Sequence, residues 1–349
     1  MRILINTPNW KHPELGGVAN HFYGLKPYWK ENVRYNIVGS RKIPNTGKYW
    51  LPWDLIKTIF KLLFYRPEVV MVNTSLGKNA LKRDSIFLNI AHYFGAKTIV
   101  HFHGFNVNYA CEIDTKWFIS LFKHASGFLV LSNSIKHQLQ EWGVKQPILL
   151  TTTKVDDRLV KDYDVSNRRK ACKQILYLGR VEKEKGIYLS LDIYVLLQKI
   201  KPDLMFTVVG GGSELENAKK YAEEKGITNI TFTGVLKGNS LRKQYEESDL
   251  YLFTSFHEGM PTSVLEAMCF GLPIVTRPVG GLVDFFEQEK MGYMVNSFNA
   301  NDFIQPIKNI IESEDNRNNY SVYNYNYGNN HFLASKVAIS IEKNIKELC

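Results

Sequence analysis

Residues 258–266 read Glu258-Gly-Met-Pro-Thr-Ser-Val-Leu-Glu266, two carboxylates eight positions apart around a Gly-x-Pro turn. Reading outward, Asp249 to Phe253 (DLYLF) is an apolar run of strand length, residues 254 to 260 are a loop, and Pro261 suits the first turn of the helix TSVLEAMCF. Glu258 therefore falls in the loop and Glu266 on the helix. A helix start offers unpaired backbone N–H groups and the positive end of a dipole, which together hold a phosphate without a metal. A carboxylate just before that start, and another about one turn inside it, can accept hydrogen bonds from hydroxyls flanking the phosphate. Taken alone, two such glutamates are more often a solvated loop acid and an ordinary helix residue. Their neighbours decide between the readings.

The same strand–loop–helix order recurs along the chain. RILIN (2–6), EVVMV (68–72), KTIVH (97–101) and GFLVL (127–131) are buried-strand candidates in the first half. QILYLG (174–179), LMFTVVG (204–210), NITFTG (229–234), DLYLF (249–253) and PIVT (273–276) take that part in the second. With helical stretches between them, they imply parallel sheets covered on both faces, built twice over. A chain of 349 residues also exceeds what one core usually supports. The expected division is 1–165, 166–330 and a terminal helix 331–349, with the break inside the charged stretch 156–170. Ligands of open parallel sheets sit beyond the carboxyl ends of the strands. Gly16, His103, Gly179, Gly234 and Glu258 all lie just after a strand or in the loop that follows.

Five segments carry a specific resemblance. FTSFHEGMPTSVLEAMCFGLPIV (253–275), ILYLGRVEKEKGI (175–187), TFTGVL (231–236), ELGGVANH (14–21) and HFHGFN (101–106) occur in the order found in the retaining glycosyltransferases of family 4. The chain resembles that family over nearly its whole length. The resemblance implies the GT-B fold, an α/β architecture of two Rossmann-like parallel-sheet domains facing across a cleft, with the last helix packing back on the N-terminal domain. It implies a nucleotide-sugar donor, with Glu266 on the ribose hydroxyls and Glu258 on the donor sugar. Gly259, Met260 and Pro261 would line the sugar pocket, Thr262 and Ser263 would open the phosphate-facing helix, and Gly234 and Val235 would meet the base. Gly16 and Gly17 would approach the diphosphate, and His103, with His101 a close competitor, would orient sugar and acceptor. Three departures are visible: Thr153-Lys154 precedes Val155-Asp156 where many relatives carry Asn-Gly, His257 precedes Glu258, and Asn73-Thr74-Ser75 stands where some relatives place a histidine.

Chemistry narrows the roles. As a sugar nucleotide loses its diphosphate, negative charge grows on the leaving group. Arg180 and Lys185 offer a fork and a point charge for it. Alone, an Arg and a Lys five apart in a charged loop are usually just solvated. Following Gly179 and joined to the glutamate window, they read as phosphate ligands. With Arg180, Lys185 and the helix beginning near Thr262 neutralising the diphosphate, neither a metal nor a cofactor is expected, and a glycosyltransferase that retains configuration is the reading, with UDP the favoured nucleotide. The rivals are a nucleotide-sugar epimerase or hydrolase of the same fold, a non-catalytic sugar-nucleotide-binding module, and a basic nucleic-acid binder, for which no usual motif is present.

Charge and composition address partners. Residues 1–168 hold 23 Lys/Arg against 12 Asp/Glu, so an anionic partner is expected for that half. A glycan or polyprenyl-diphosphate-linked oligosaccharide acceptor at an anionic membrane face fits. The pattern of 51–66 places Trp53, Ile56, Ile59, Phe60, Leu63 and Phe64 on one side of a helix and Lys57 and Lys61 on another, which suits either membrane docking or cover for a sheet. No apolar run reaches the roughly 18 residues of a membrane span and the start MRILINTPNW is short and polar, so a cytoplasmic location, peripheral at most, is expected. Cys111, Cys172, Cys269 and Cys349 share no close spacing and read as free thiols.

Overall fold

The computed structural model describes residues 1–9, 16–39, 46–105, 107–168 and 171–349; Glu14 and Leu15 of the glycine-rich segment, Asn106, Arg169 and Lys170 lie outside the described residues. Two compact units form, Met1–Lys154 together with Ala334–Cys349, and Val155–Leu333.

The first unit is a six-stranded sheet built from β1 (Arg2–Thr7), β2 (Asn32–Ile37), β3 (Val69–Ser75), β4 (Lys97–Gly104), β5 (Gly127–Val130) and β6 (Ile148–Leu150), in the order β2-β1-β3-β4-β5-β6. Every pairing is parallel. Its helices are α1 (Gly17–Leu25), α2 (Gly47–Tyr65), α3 (Lys78–Tyr93), α4 (Val107–Glu112), α5 (Thr115–Phe122) and α6 (Asn133–Glu141). The strands read as apolar runs because both faces are covered. Val72, Val100, Phe102 and Phe128 face a core shared with Phe87, Phe118 and Trp142, whereas Ile3, Ile5, Met71, Ile99 and Leu129 face the other way. Two strands escape the apolar-run criterion: β2 is an edge strand reading NVRYNI, and β6 is three residues long.

The second unit opens with α7 (Asp157–Val160). Its sheet comprises β7 (Gln174–Leu178), β8 (Met205–Val209), β9 (Ile230–Gly234), β10 (Leu250–Phe253), β11 (Ile274–Thr276) and β12 (Gly292–Met294), in the order β12-β11-β10-β7-β8-β9, again all parallel. The helices are α8 (Ile187–Ile200), α9 (Leu215–Glu224), α10 (Gly238–Glu247), α11 (Thr262–Cys269), α12 (Ile304–Glu312) and α13 (Glu314–His331). Alternate strand residues serve opposite cores, Leu250 and Leu252 on one face and Tyr251 and Phe253 on the other.

The division falls between Lys154 and Val155 rather than inside 156–170 or at 165/166. Charge along that stretch hides three anchors to the second unit. Val155 N donates to Phe332 O at 2.7 Å, Tyr163 packs edge-on against Phe270, and Arg168 Nε donates to Phe270 O at 2.9 Å. At the other end α14 (Ala334–Leu348) joins the first unit, burying Val337, Ile341 and Ile345 against Ile3, Phe22 and Leu129. Fully burying such a side chain is worth about 1.5–3 kcal/mol. Glu342 Oε1 accepts from Lys30 N and Glu31 N at 2.8 Å, and Lys346 Nζ meets Glu31 Oε1 at 2.6 Å.

Helix α2 departs from the expected assignment of lysines. Lys61 does not stand outside the fold; its Nζ donates to Tyr35 O at 2.8 Å and Asn36 Oδ1 at 3.0 Å, because edge strand β2 leaves polar atoms for the helix to satisfy. Among the described residues, no helix is long and apolar enough to cross a membrane. Cys172 and Cys269 are buried thiols, and Cys111 and Cys349 are exposed ones.

Candidate functional site

In the second sheet, β7 runs to β8 and β9 on one side, and the chain then crosses over to place β10 on the other side of β7. Loops leaving β7 and β10 thus diverge from a switch point, where open parallel sheets bind ligands. The loop after β7 holds Arg180 and Lys185, and the loop after β10 holds Glu258. Lys185 Nζ reaches Glu258 Oε1 at 2.6 Å, and Ser255 Oγ donates to the same oxygen at 2.9 Å. Both charged side chains are about one-sixth exposed, so the pair is sheltered while remaining reachable. Two residues read as having separate tasks are therefore in direct contact. Arg180 stays apart from them: its side chain is two-thirds exposed and its guanidinium lies 2.7 Å from Glu182 Oε1. An exposed pair of that kind is weak and readily exchanged for another anion.

The β7 loop is locked from beneath. Tyr177 OH donates to Arg180 O at 3.2 Å and Lys185 O at 3.1 Å, and burial pushes its phenol well up from the usual value, so it remains a donor. Phe256 N donates to Glu184 O at 2.9 Å and Thr254 Oγ1 to Gly186 O at 2.7 Å, joining the two loops. Gly280 abuts the Glu258 loop so closely that a Cβ there would lie 2.2 Å from Gly259 O and 2.5 Å from Glu258 O. Its neighbour Gly281 N donates to Gly259 O at 2.8 Å. The glycine triplet after β8 does the same for the other loop, since a Cβ on Gly210 would lie 1.8 Å from Gly179 O and one on Gly212 2.3 Å from Val181 O. Arg277, buried over the Phe298 ring, donates to Ser297 O at 2.9 Å and Ser255 O at 3.3 Å. None of these supports was singled out in the sequence, although the pair Gly280-Gly281 and the triplet Gly210-Gly211-Gly212 after strands are visible signals.

Pro261 proves to be the residue preceding α11 rather than a member of its first turn, with φ −74° and ψ 100°. Thr262 and Ser263 then open the helix, and Glu266 lies one turn inside, as the sequence spacing suggests. Tyr245 OH, fully buried and stacked on Phe270, donates to Glu266 Oε2 at 2.7 Å and fixes that carboxylate. At the end of β9, Gly234 takes φ +71° and its carbonyl accepts from Gly210 N, leaving Val235 exposed beside Gly211. Met260 is half-buried against the α11 core. One Asp-x-Asp triplet occurs, Asp162-Tyr163-Asp164, and Asp164 is occupied in capping the turn 165–167 through Ser166 N at 2.9 Å.

Gly16, Gly17 and His103 belong to the first unit. Gly16 holds φ +139°, a conformation reserved for glycine, immediately before α1. His103 stands at the end of β4, where its Nε2 lies 2.9 Å from Asn73 Oδ1. An amide oxygen only accepts, and Asn73 Nδ2 is turned to Asn6 O, so the proton belongs on His103 Nε2 and Nδ1 is left as the acceptor. Burial depresses His103 to about 3, so the ring is neutral and presents a dipole rather than a charge. His101 is fully buried in the same strand, with its ring centre 3.8 Å from that of His103. Burial likewise depresses His101 and His21 well below the usual range, and among the described residues neither ring has a hydrogen-bond partner. The Asn73 departure from the family pattern thus supplies the partner that sets the His103 tautomer.

Comparison with known proteins agrees with this architecture. Alr3699/HepE of Anabaena, solved with UDP and glucose, superimposes with a TM-score of 0.74 over 99% of this chain and 100% of that one at 16% identity. The fold is GT-B. Residues 161–327 match the family model of the glycosyl transferases group 1. Among curated relatives, an uncharacterized glycosyltransferase of Methanocaldococcus jannaschii is 24% identical over 91% of each chain. The O-antigen biosynthesis glycosyltransferase WbnH of Escherichia coli is 29% identical over 44% of this chain and 41% of its own.

Proposed function

We propose that this protein is a retaining, family 4 glycosyltransferase that moves a hexose or N-acetylhexosamine from a nucleotide diphosphate sugar, UDP being the favoured nucleotide, to a hydroxyl of a glycan or polyprenyl-diphosphate-linked oligosaccharide. The product would enter a surface polysaccharide such as an O-antigen, capsule or exopolysaccharide. The observation that carries the reading is the Lys185–Glu258 pair at the switch point of the second sheet, close in sequence to the start of α11. A lysine and a carboxylate in contact suit a ligand that brings phosphate oxygens and sugar hydroxyls to one place. The bound UDP and glucose of the HepE structure and the O-antigen role of WbnH support donor and pathway class.

In this reading the bond between the sugar C1 and the β-phosphate oxygen breaks, and Lys185 and Arg180 stabilise the departing diphosphate. The acceptor oxygen bonds to C1 on the face the phosphate has left, and its proton passes to that phosphate. Glu258 exchanges hydrogen bonds with Lys185 for those of the donor sugar, and Glu266, held by Tyr245, takes the ribose hydroxyls. Neutral His103 orients sugar and acceptor through its carbonyl or ring. The diphosphate is neutralised by side chains and the α11 dipole, so neither a divalent metal nor a cofactor takes part.

The test is incubation of the full chain with labelled UDP-, GDP- and ADP-sugars, with and without a membrane extract as acceptor source. Transfer of label to extract lipid or glycan from the UDP-sugar supports the proposal. Free sugar or an epimerised nucleotide sugar as the sole product, with extract present, would replace it by the hydrolase or epimerase reading.

A further inference from the structure

Helix α2 turns Asp54, Thr58 and Lys61 inward. Asp54, almost fully buried, accepts from Gly39 N at 2.8 Å. Thr58 Oγ1 accepts from Asn36 Nδ2 and donates to Asp54 O, both at 2.7 Å, and Lys61 is bound to β2 as described. The outward stripe is apolar. Trp53, Ile56, Phe60, Leu63 and Phe64 recur at helical spacing, and Phe64 is 79% exposed and Phe60 55%. Phe60 and Phe64 stack on each other at 6.0 Å, with no residue of the fold laid over them among those described. A contiguous stripe of this kind on a surface marks an interaction site rather than scattered exposure.

Charge identifies what covers it. Residues 32–111 hold 11 Lys/Arg and three Asp/Glu. Two of those acids, Asp54 and Asp84, are buried, and Glu68 is paired with Arg2 at 3.5 Å. Lys57 Nζ sits 5.4 Å from the Trp53 ring centre, and exposed Arg66 closes the helix. Aromatic side chains rimmed by cations fit the headgroup region of an anionic bilayer. A second copy of this chain would bring the same cations against themselves, since a two-fold contact places like patches together.

We propose that α2 is the membrane-docking surface of this protein, lying in the plane of an anionic leaflet with Trp53, Phe60 and Phe64 among the headgroups and Lys57 and Arg66 on the lipid phosphates. The proposal deepens the membrane-borne acceptor of the functional reading and rests on it for its purpose. Docking is measured without donor or acceptor, so its failure and the failure of glycosyl transfer are separate results.

The experiment is co-sedimentation of the full chain with vesicles of phosphatidylcholine alone and of phosphatidylcholine with phosphatidylglycerol, at low and high salt. Wild type is expected to partition roughly tenfold or more in favour of the anionic vesicles at low salt, with the preference falling as salt screens it. Phe60→Ser/Phe64→Ser, which alters only outward rings, is expected to keep its Tm and to lose about tenfold or more in partitioning. Lys57→Glu should weaken binding to the anionic vesicles and flatten its salt dependence. Absence of wild type from the anionic pellet, equal sedimentation of the double variant, or a concentration-dependent dimer that the double variant abolishes would each overturn the proposal.

Discussion

Gly280→Ala tests the support of the Glu258 loop at one atom. The new Cβ would lie 2.2 Å from Gly259 O and 2.5 Å from Glu258 O, where real Cβ contacts essentially never fall below 3.0 Å. Relief therefore requires the 258–259 backbone and residue 280 to separate by most of an ångström. Gly280 also sits at φ +51°, which costs a side-chain-bearing residue roughly 1–2 kcal/mol. That second cost affects stability alone, whereas the first moves Glu258 relative to Lys185. A displacement near 1 Å can cost roughly 10²-fold in rate, so kcat/KM for glycosyl transfer should fall by about that factor. Gly226→Ala is the control: it carries the same left-handed strain at φ +65°, with nothing within 4 Å of the added carbon. Steady-state transfer and thermal melts on both variants separate the effects. A small loss of Tm in Gly226→Ala, a larger one in Gly280→Ala, and loss of rate in Gly280→Ala alone is the expected pattern. Wild-type kcat/KM in Gly280→Ala would refute the claim that this contact sets the position of Glu258.

Lys185→Ala and Arg180→Ala should each lower kcat/KM by roughly 10², the scale for removing one donor to developing charge, and Glu258→Gln should lower turnover more than UDP affinity; near-normal rates in all three would place the site elsewhere. Transfer should survive exhaustive EDTA treatment, and strict dependence on added Mn²⁺ or Mg²⁺ would contradict the proposed neutralisation by side chains and helix. Acid should destabilise the protein through His21, His101 and His103, whose folded values are all depressed by burial. Below the unfolded value of about 6.5 the unfolded chain binds protons that the folded one refuses, so stability is intact above that pH and falls toward about 3, where His103 protonates, by up to about 1.4 kcal/mol per pH unit for each ring. Urea midpoints measured near neutrality and in mild acid check this, and a midpoint that rises on acidification would show that the rings are charged in the fold.

The long apolar strands and the Glu258–Glu266 window were legible because each is a local pattern. β3, β4, β7 and β10 are runs buried on both faces, and the strand–loop–helix order around Pro261 needs no distant partner. Edge strand β2 and the three-residue edge strands β6 and β12 were not, since an edge tolerates polar residues and a short edge strand gives little pattern. The contact of Lys185 with Glu258 spans 73 residues and exists only because β10 is laid beside β7. The same holds for Tyr245 on Glu266 and Gly280 on Gly259, which depend on how elements approach rather than on spacing. The stretch 156–168 looked like a linker because its charges are conspicuous, while Val155, Tyr163 and Arg168 anchor it to the second unit.

Titration of UDP into the full chain in the presence of EDTA, with wild type and Glu266→Ala compared by calorimetry, tests the assignment of the site most directly. A hydrogen bond to a charged group contributes about 1.5–3 kcal/mol, so UDP should bind the wild type without metal and bind Glu266→Ala roughly ten- to a hundredfold more weakly. Equal affinity in the two proteins would contradict the account, as would UDP binding that appears only when a divalent metal is restored.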